Sequence, residues 1–403
     1  MNRTFKNIAN MGKYFRLSNT PPMFVKGKNE ILYDTNNKKF IDLACGSGTS
    51  ILGYKNTNVI KNLKKTLDQG ITHLGPHFLS KIHLKYLKEL SNFFLKKYEI
   101  FNFATNGTEA VETALKVAFH HTKKKKILYF TGSYHGRTGY SLSSSDMKGK
   151  NKDFFTNNNQ FIKCEFNNVS DFTNKFNKYK NDLAAVIIEP IQATSGFNFV
   201  DKKFLSHIKQ IISKSNTLFI FDEVWTGFGK TGHNFAYEYF KVTPDIVILG
   251  KSIGGGLPLG VVAMKNKIKN SFPGAQSSTF QGNILSIQSS YFFLKELRNI
   301  NYLKKIKKLE DFFNFHRKNL IQYKFVNDFR GIGSMWGIEI NNKYFKKKDM
   351  TNQIRATLLH KGLLTWECGI DSNVIGLVPP VVISKNNLNK SMNLIYETFN
   401  KLN

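Results

Sequence analysis

The sequence has 403 residues, a length that predicts two or three domains with a sizeable core and excludes a small disulfide-stapled module. Hydrophobic residues make up 41% and charged residues 22%, and every apolar run is far shorter than the roughly 18 residues that cross a bilayer, so we expect a soluble globular protein. The formal charge of +31 suggests nucleic acid or an anionic membrane, but only seven of the 59 basic residues are Arg and the Lys residues are scattered, so we expect neither as a main partner.

The N-terminal part predicts a hairpin. Glu30–Tyr33 and Lys39–Leu43 alternate in polarity around a turn at 35–37, and we expect this hairpin to pack on the C-terminal part of the chain. The Asn-rich tract Asn151–Asn159 is short enough to be a surface loop.

The middle of the chain alternates between predicted strands and helices. Helical patterns cover Thr108–His121 and Lys203–Ser215. Apolar or β-branched runs bounded by Gly, Asp, Pro or Ser predict six buried strands: Phe101–Ala104, Ile127–Phe130, Ala184–Ile188, Leu218–Phe221, Ile246–Leu249 and Gly260–Met264. This alternation predicts an α/β domain with a mostly parallel sheet, helices on both faces, and a site at the carboxyl ends of the strands.

The composition and the hydrophobic pattern of the sequence change near residue 290. A long Lys-rich amphipathic stretch begins at Ile287, and Phe329–Ile340 and Val374–Val382 resemble strands separated by helices. We therefore predict a large domain over 41–289 and a smaller α+β domain built from 1–40 and 290–403.

Four segments at predicted strand ends contain candidate binding or catalytic residues. The segment 105–110, TNGTEA, opens a helix, where free N–H groups and a glycine suit a phosphate, although the same residues also make an ordinary N-cap. The segment 133–138, SYHGRT, offers an aromatic ring for stacking and an Arg for a carboxylate, or is only a turn.

The other two segments follow the next strands. The segment 219–224, FIFDEV, ends in two acids, one of which can hold a protonated ring nitrogen; acids at this place also cap helices or bind metal, but no His cluster supports a metal. In the segment 244–260, one Lys, Lys251, stands between a buried strand and a glycine-rich turn, where burial lowers an amine pKa toward Schiff-base chemistry.

A phosphate cradle, a stacking aromatic, a ring-nitrogen acid and a buried Lys together describe a pyridoxal phosphate (PLP) site. From about Pro22 to Val382 the chain resembles the class III aminotransferases of PLP fold type I, the group that includes ornithine, acetylornithine, 4-aminobutyrate and diaminobutyrate aminotransferases.

The resemblance implies a role for particular residues. Lys251 would bond to the cofactor and then move a proton, Asp222 would pair with the pyridine nitrogen, Tyr134 would stack on the ring, and Gly107 and Thr108 would bind the phosphate.

Other implied positions lie around the site. Thr279, in STFQGN at 278–283, would reach the cofactor phosphate of a neighbouring subunit, which implies a homodimer with shared sites. Arg137 would hold a substrate carboxylate, and Glu189 and Gln192, in AVIIEPIQ at 185–192, would support the site from below.

Three positions depart from the family pattern. Thr194 and Gly376 stand where many members that use 2-oxoglutarate have a paired Glu and Arg, and this joint loss argues against an ornithine or acetylornithine enzyme of the usual kind. Trp225 stands where many members have a Gln that contacts the cofactor; it either narrows the pocket or fills space.

The resemblance implies a ping-pong aminotransferase that takes an amino group from an ω-amino acid or diamine-type donor, such as diaminobutyrate, 4-aminobutyrate or ornithine, and gives it to a 2-oxo acid. The alternatives are an aminomutase, decarboxylase or phospho-lyase of the same fold and, more distantly, a basic nucleic-acid-binding protein on an inactive scaffold.

The cysteines and the N-terminal segment indicate the cellular compartment. The cysteines, Cys45, Cys164 and Cys368, are odd in number and unpaired in spacing, which fits a reducing compartment. The basic segment Met1–Arg16 lacks a secretory pattern, so we expect a cytoplasmic protein, with a short organellar transit segment as the alternative.

Overall fold

The computed structural model describes residues 17–18, 21–146, 159–268, 274–341, 343–344 and 349–402. The chain forms two compact units: Met1–Asn56 with Lys305–Asn403, and Thr57–Lys304. The domain boundaries 1–40, 41–289 and 290–403 stay a prediction. Most of the Asn-rich tract and the basic N-terminal segment lie outside the described residues.

A seven-stranded sheet forms the centre of the second unit. Its strands, in spatial order, are Ile100–Ala104, Gly260–Met264, Ile246–Leu249, Leu218–Asp222, Leu183–Ile188, Lys126–Phe130 and Phe161–Cys164. Gly260–Met264 is antiparallel to both of its neighbours, and the remaining neighbouring pairs are parallel. The mostly parallel sheet that the sequence predicts is therefore confirmed.

The six predicted strands are all present. The four in the middle of the sheet are continuous runs whose residues are all buried, whereas Phe101–Ala104 belongs to an edge strand, contains Asn102 and is mostly half-buried. The seventh strand, Phe161–Cys164, was not predicted. It lies at the sheet edge, where Lys163 is exposed, so its sequence lacks a buried apolar run.

Helices cover both faces of this sheet. Gly107–Thr122 buries its alanines and valines against one face. On the other face, Phe130 contacts Phe172 of Val169–Tyr179 and Phe204 of Lys202–Ile212. Within the described ranges of this unit, the remaining helices of eight or more residues are Thr57–Asp68, Lys81–Phe93 and Ile284–Asn299, and the shorter ones are Gly139–Ser143 and Ala236–Phe240.

The first unit holds two four-stranded sheets. One consists of Phe24–Lys28, Ile31–Asp34, Lys39–Asp42 and Leu363–Leu364, and the other of Val326–Ile332, Met335–Ile340, Val374–Leu377 and Trp366–Cys368. The predicted hairpin is confirmed, and its second strand pairs with Leu363–Leu364 from the C-terminal part of the chain. In its described residues this unit also contains the helices Met350–His360 and Lys385–Asn400 and the short segment Cys45–Gly48, and Tyr302–Leu320 crosses the unit boundary.

Three sequence predictions were wrong in their extent. The predicted strand Phe329–Ile340 is a hairpin, because the chain reverses at Gly333, which has a φ of +55°. The strand predicted over Val374–Val382 ends at Leu377, before two prolines that cannot donate hydrogen bonds to a ladder. The helix predicted over Lys203–Ser215 ends at Ile212.

None of the helices within the described ranges is both long enough and apolar enough to cross a membrane.

Two glycines bring strand ends close to the start of the Gly107–Thr122 helix. A Cβ on Gly260 would lie 2.2 Å from the carbonyl oxygen of Asn106, and a Cβ on Gly250 would lie 3.0 Å from the Cα of Gly107. The absence of these side chains lets the helix begin directly against the sheet edge.

We predict that Gly260→Ala lowers the free energy of unfolding by about 1–3 kcal/mol, because the added methyl group overpacks a fixed backbone contact. Gly254→Ala is the matched control, since a Cβ there meets nothing nearer than 3.5 Å. Urea unfolding of both variants checks this, and equal stabilities would contradict it.

Candidate active site

A cavity of about 210 Å³ lies at the carboxyl ends of the central strands. The predicted residues Gly107, Thr108, Tyr134, Asp222 and Lys251 all line it. The other lining residues are Asn106, His135, Glu189, Val224 and Trp225. Five side chains or backbone positions chosen from four separate sequence motifs thus meet in one place.

The first turn of the Gly107–Thr122 helix forms one wall. The side chain of Asn106 caps the helix by accepting a hydrogen bond of 3.0 Å from the N–H of Glu109. The N–H groups of Gly107 and Thr108 donate to none of the described residues. Two unpaired donors at the positive end of a helix dipole suit a phosphate group.

Lys251 provides the amine of the cavity. It follows the Ile246–Leu249 strand with a left-handed φ of +48°, a strained backbone conformation for a residue other than glycine. The residue is partly exposed where the cavity opens, but protein surrounds its amine. Burial lowers the pKa of Lys251 to about 8, against the opposing attraction of the Asp222 and Glu189 carboxyl groups. A large neutral fraction near pH 8 makes this amine a nucleophile.

Asp222 is the acid that reaches the cavity. It is the last residue of the Leu218–Asp222 strand and is 4% exposed. Its Oδ2 lies 2.7 Å from Nδ1 of His135, and its Oδ1 accepts a hydrogen bond of 3.0 Å from the N–H of Val224. The carboxylate is therefore held in one orientation.

The neighbouring acid, Glu223, does not belong to the site. Its carboxyl group accepts hydrogen bonds from the N–H groups of Ala236 and Tyr237 and from the hydroxyl of Thr226. Burial raises the pKa of Glu223 to about 7. It fixes the loop that follows the strand, which is the capping role that the sequence left open for one of the two acids.

His135 is a site residue that the sequence analysis did not assign. It is 3% exposed, and its Nε2 is buried without a hydrogen-bond partner in the described part of the chain. The signal was its place directly after Tyr134 in the second motif, but only the fold brings it to Asp222.

Glu189 lies beneath the cavity, where the resemblance implied a supporting residue. Its Oε2 accepts a hydrogen bond of 2.8 Å from the N–H of Tyr134. Burial, and the nearby charge of Asp222, raise the pKa of Glu189 well above its ordinary value. Gln192 lies outside the cavity lining and donates from its amide to the carbonyl of Thr131.

Two predicted site residues lie outside the cavity lining. Arg137 is exposed, and its Nε donates a hydrogen bond of 3.1 Å to the hydroxyl of Tyr134. Thr279 is exposed, next to Phe280, whose ring lies 4.8 Å from that of His73. Neither contributes to the cavity within one chain.

Thr194 and Gly376, which stand where many family members have a paired Glu and Arg, belong to different units. Thr194 is half-buried in the second unit. In the first unit, a Cβ on Gly376 would lie 3.1 Å from the ring of Trp366 and 3.4 Å from Sγ of Cys368. A long side chain at 376 would therefore displace Trp366.

Among the described residues, no group of three or more His, Cys, Asp or Glu is arranged to hold a metal ion. Cys45, Cys164 and Cys368 are all buried free thiols.

The model of the family described as "Aminotransferase class-III" matches residues 16–399, nearly the whole chain. The chain belongs to the class III aminotransferases. The [LysW]-aminoadipate semialdehyde/glutamate semialdehyde transaminase of Sulfolobus acidocaldarius is 33% identical over 94% of this chain and 95% of its own length. The acetylornithine aminotransferase of Aquifex aeolicus is 30% identical over 96% of this chain and 98% of its own length.

A solved structure of a Toxoplasma gondii ornithine aminotransferase superposes with a TM-score of 0.88 at 24% identity, over 99% of this chain and 94% of that chain. That structure contains PLP at partial occupancy in its active site. At this identity the likeness concerns the fold, which is that of the PLP fold type I enzymes.

Class III aminotransferases use PLP, and the cavity fits this cofactor. It offers unpaired helix N–H groups for an anion, an orphaned buried nitrogen on His135 beside a fixed carboxylate, and an enclosed amine with a lowered pKa. A phosphate, a protonated ring and an aldehyde are the complementary groups of PLP.

Proposed function

We propose that this aminotransferase takes the amino group of an ω-amino acid or diamine-type donor, such as diaminobutyrate, 4-aminobutyrate or ornithine, and passes it to a 2-oxo acid in a ping-pong cycle. The supporting observation is the enclosed amine of Lys251 in one cavity with the carboxylate of Asp222 and the free N–H groups of Gly107 and Thr108.

The names of the relatives support a terminal amine as the reacting group. A semialdehyde transaminase acts at a chain end, because loss of a terminal amine leaves an aldehyde there. The Thr194 and Gly376 substitutions remove the charged pair that many members use with 2-oxoglutarate, so we infer that the acceptor or its orientation differs from theirs.

Each cavity residue has a role in this proposal. The N–H groups of Gly107 and Thr108 bind the cofactor phosphate, Tyr134 stacks on the ring, and Asp222 pairs with the ring nitrogen. Lys251 would hold the cofactor through its amine and, once the substrate amine takes its place, would move a proton from the substrate carbon. When bound, PLP supplies the electron withdrawal that makes this carbon acidic.

The experiment that tests the function is an absorbance titration of the purified protein with PLP and a panel of amines. We expect a band near 410–430 nm that shifts to about 330 nm with the true donor and returns when a 2-oxo acid is added. One oxo acid consumed per amine would establish transfer. Turnover of one amine without an acceptor would instead establish one of the same-fold alternatives, and the absence of any band would refute the proposal.

We predict that Arg137→Ala raises KM for carboxylate substrates by about tenfold to a hundredfold, because a charge-assisted hydrogen bond is lost. The kcat with a diamine that lacks a carboxylate provides the internal control and stays unchanged. An unchanged KM for every carboxylate substrate would show that Arg137 binds none of them.

We also propose a homodimer in which Thr279 contacts the cofactor of the other subunit. The supporting observation is a group of exposed apolar side chains near Thr279: Ile71, Phe78, Leu79, Leu84 and Phe280. The segments that carry them are joined, because the amide of Asn283 donates to the carbonyl of Thr72 and Nε2 of His83 lies 2.7 Å from the carbonyl oxygen of Gly282. Exposed apolar groups of this kind are typical of protein interfaces.

We predict that Phe78→Asp dissociates the dimer, because it places a charge in an apolar interface. Phe315→Asp is the matched control, since Phe315 is 76% exposed and Phe78 is 68% exposed, and Phe315 lies in the other unit. Light scattering after size-exclusion chromatography measures the mass. A monomeric wild type, or equal dissociation of both variants, would contradict this interface.

A further inference from the structure

Trp225 lies against the amine that the proposed reaction uses. It follows Asp222 by three residues and is 4% exposed. The Nζ of Lys251 lies 4.6 Å from the centroid of its ring, and the Nζ of Lys230 lies 5.5 Å from the same ring. One indole therefore contacts two lysine amines.

Lys230 connects the indole to the turn that carries Lys251. Its side chain is buried, and its ammonium group donates a hydrogen bond of 2.7 Å to the hydroxyl of Ser252, the residue after Lys251. The Lys230 amine thus joins the side chain of Ser252, in the turn that carries Lys251, to the Trp225 ring. The ring has little freedom to move away from Lys251.

The face of an aromatic ring attracts a cation, most strongly for Trp and in a site shielded from water. The acidic groups that act on Lys251 are Asp222 and Glu189, and burial favours its neutral form. The other titratable groups at the site are His135, which faces Asp222, and Tyr134; the Lys230 amine shares the Trp225 ring. The indole is therefore an uncharged partner that favours the ammonium form of Lys251 without competing for its proton.

We propose that Trp225 is a positioning residue that holds the free amine of Lys251 whenever this amine is not bonded to the cofactor. This inference rests on the proposed function, in which Lys251 is released by the substrate amine. The indole keeps the released amine inside the cavity, and its ring supplies a surface that a hydrogen-bonding side chain at this position would not.

A structural role and a positioning role of Trp225 predict opposite shifts in the pKa of Lys251. If the ring stabilises the ammonium form, its loss lowers the pKa of Lys251. If Trp225 only fills space, its loss admits water and moves that pKa up toward the ordinary lysine value. The sign of the shift therefore separates the two roles.

The first experiment uses the cofactor-free protein and follows the rate at which added PLP bonds to Lys251, by the band near 410–430 nm, from pH 6 to pH 10. For Trp225→Leu we expect a downward shift of the midpoint, with a rate at pH 7 about threefold to tenfold above wild type and an equal plateau at high pH. Trp225→Phe retains an aromatic face and should shift less. An unchanged or upward midpoint in Trp225→Leu would overturn the inference.

The second experiment needs no cofactor and works even if a Trp225 variant does not fold. We expect the intrinsic fluorescence of the wild-type protein to titrate with a midpoint near that of Lys251, and this transition to be lost in Lys251→Met. Trp366→Phe, in the other unit, is the matched control and should retain the transition. Retention of the transition in Lys251→Met would overturn the inference.

The two proposals fail differently. A wild-type protein that shows the fluorescence transition but forms no band with PLP would refute the proposed function and leave the Trp225 contact standing. A wild-type band with no change on Trp225 substitution would refute only the role of Trp225.

Discussion

The burial of three ionisable groups around one cavity is the constraint on which the site depends. An amine, Lys251, and two carboxyl groups, Asp222 and Glu189, are shielded from water together. An isolated charge at such a place is costly, so the least costly arrangement pairs charges and leaves a proton on one acid. The raised pKa of Glu189 and the lowered pKa of Lys251 are two results of this one constraint. Both follow from where the strands end.

The central sheet determines where these three buried groups lie. Parallel strands deliver Glu189 and Asp222 to the same edge, and the turn after Leu249 delivers Lys251 beside them. The start of the Gly107–Thr122 helix reaches this edge only because glycines allow the backbones to touch. The cavity is thus a product of backbone packing, and its side chains are held by hydrogen bonds from the same loops.

Sequence patterns predict the buried parts of this protein better than its edges. The four middle strands of the sheet were predictable because a continuous apolar run between turn residues has few other uses. The edge strand Phe161–Cys164 has no such run, and the turn at Gly333 lies inside a segment that was predicted as one strand. The hydrophobic pattern predicts neither the edge strand nor the turn, because both depend on pairing with strands that are distant or not yet assigned in the sequence.

The candidate site shows the same division. The motifs predicted Lys251 and a phosphate-binding turn at 105–110, because a lone Lys or a free helix start has a definite chemistry, and both segments line the cavity. They did not decide between Asp222 and Glu223, which are adjacent in sequence and face different surroundings. His135 is recognised as part of the candidate site only from the structure, through its contact with Asp222. Thr279 lies outside the cavity lining within a single chain.

The connection between Ile246–Leu249 and Gly260–Met264 is longer than the sheet requires. These strands are antiparallel neighbours, with Leu249 opposite Val261, and two to five residues commonly close such a pair. Residues 250–259 instead include a short 3₁₀ turn, Lys251–Gly254, in which Lys251 has a left-handed conformation. The extra length places Lys251 in the lining of the cavity, where the proposed reaction uses its amine. A plain hairpin in place of this connection would keep the strand pairing and remove the amine that the proposed reaction uses, so in this proposal the fold does not depend on the residue that reacts.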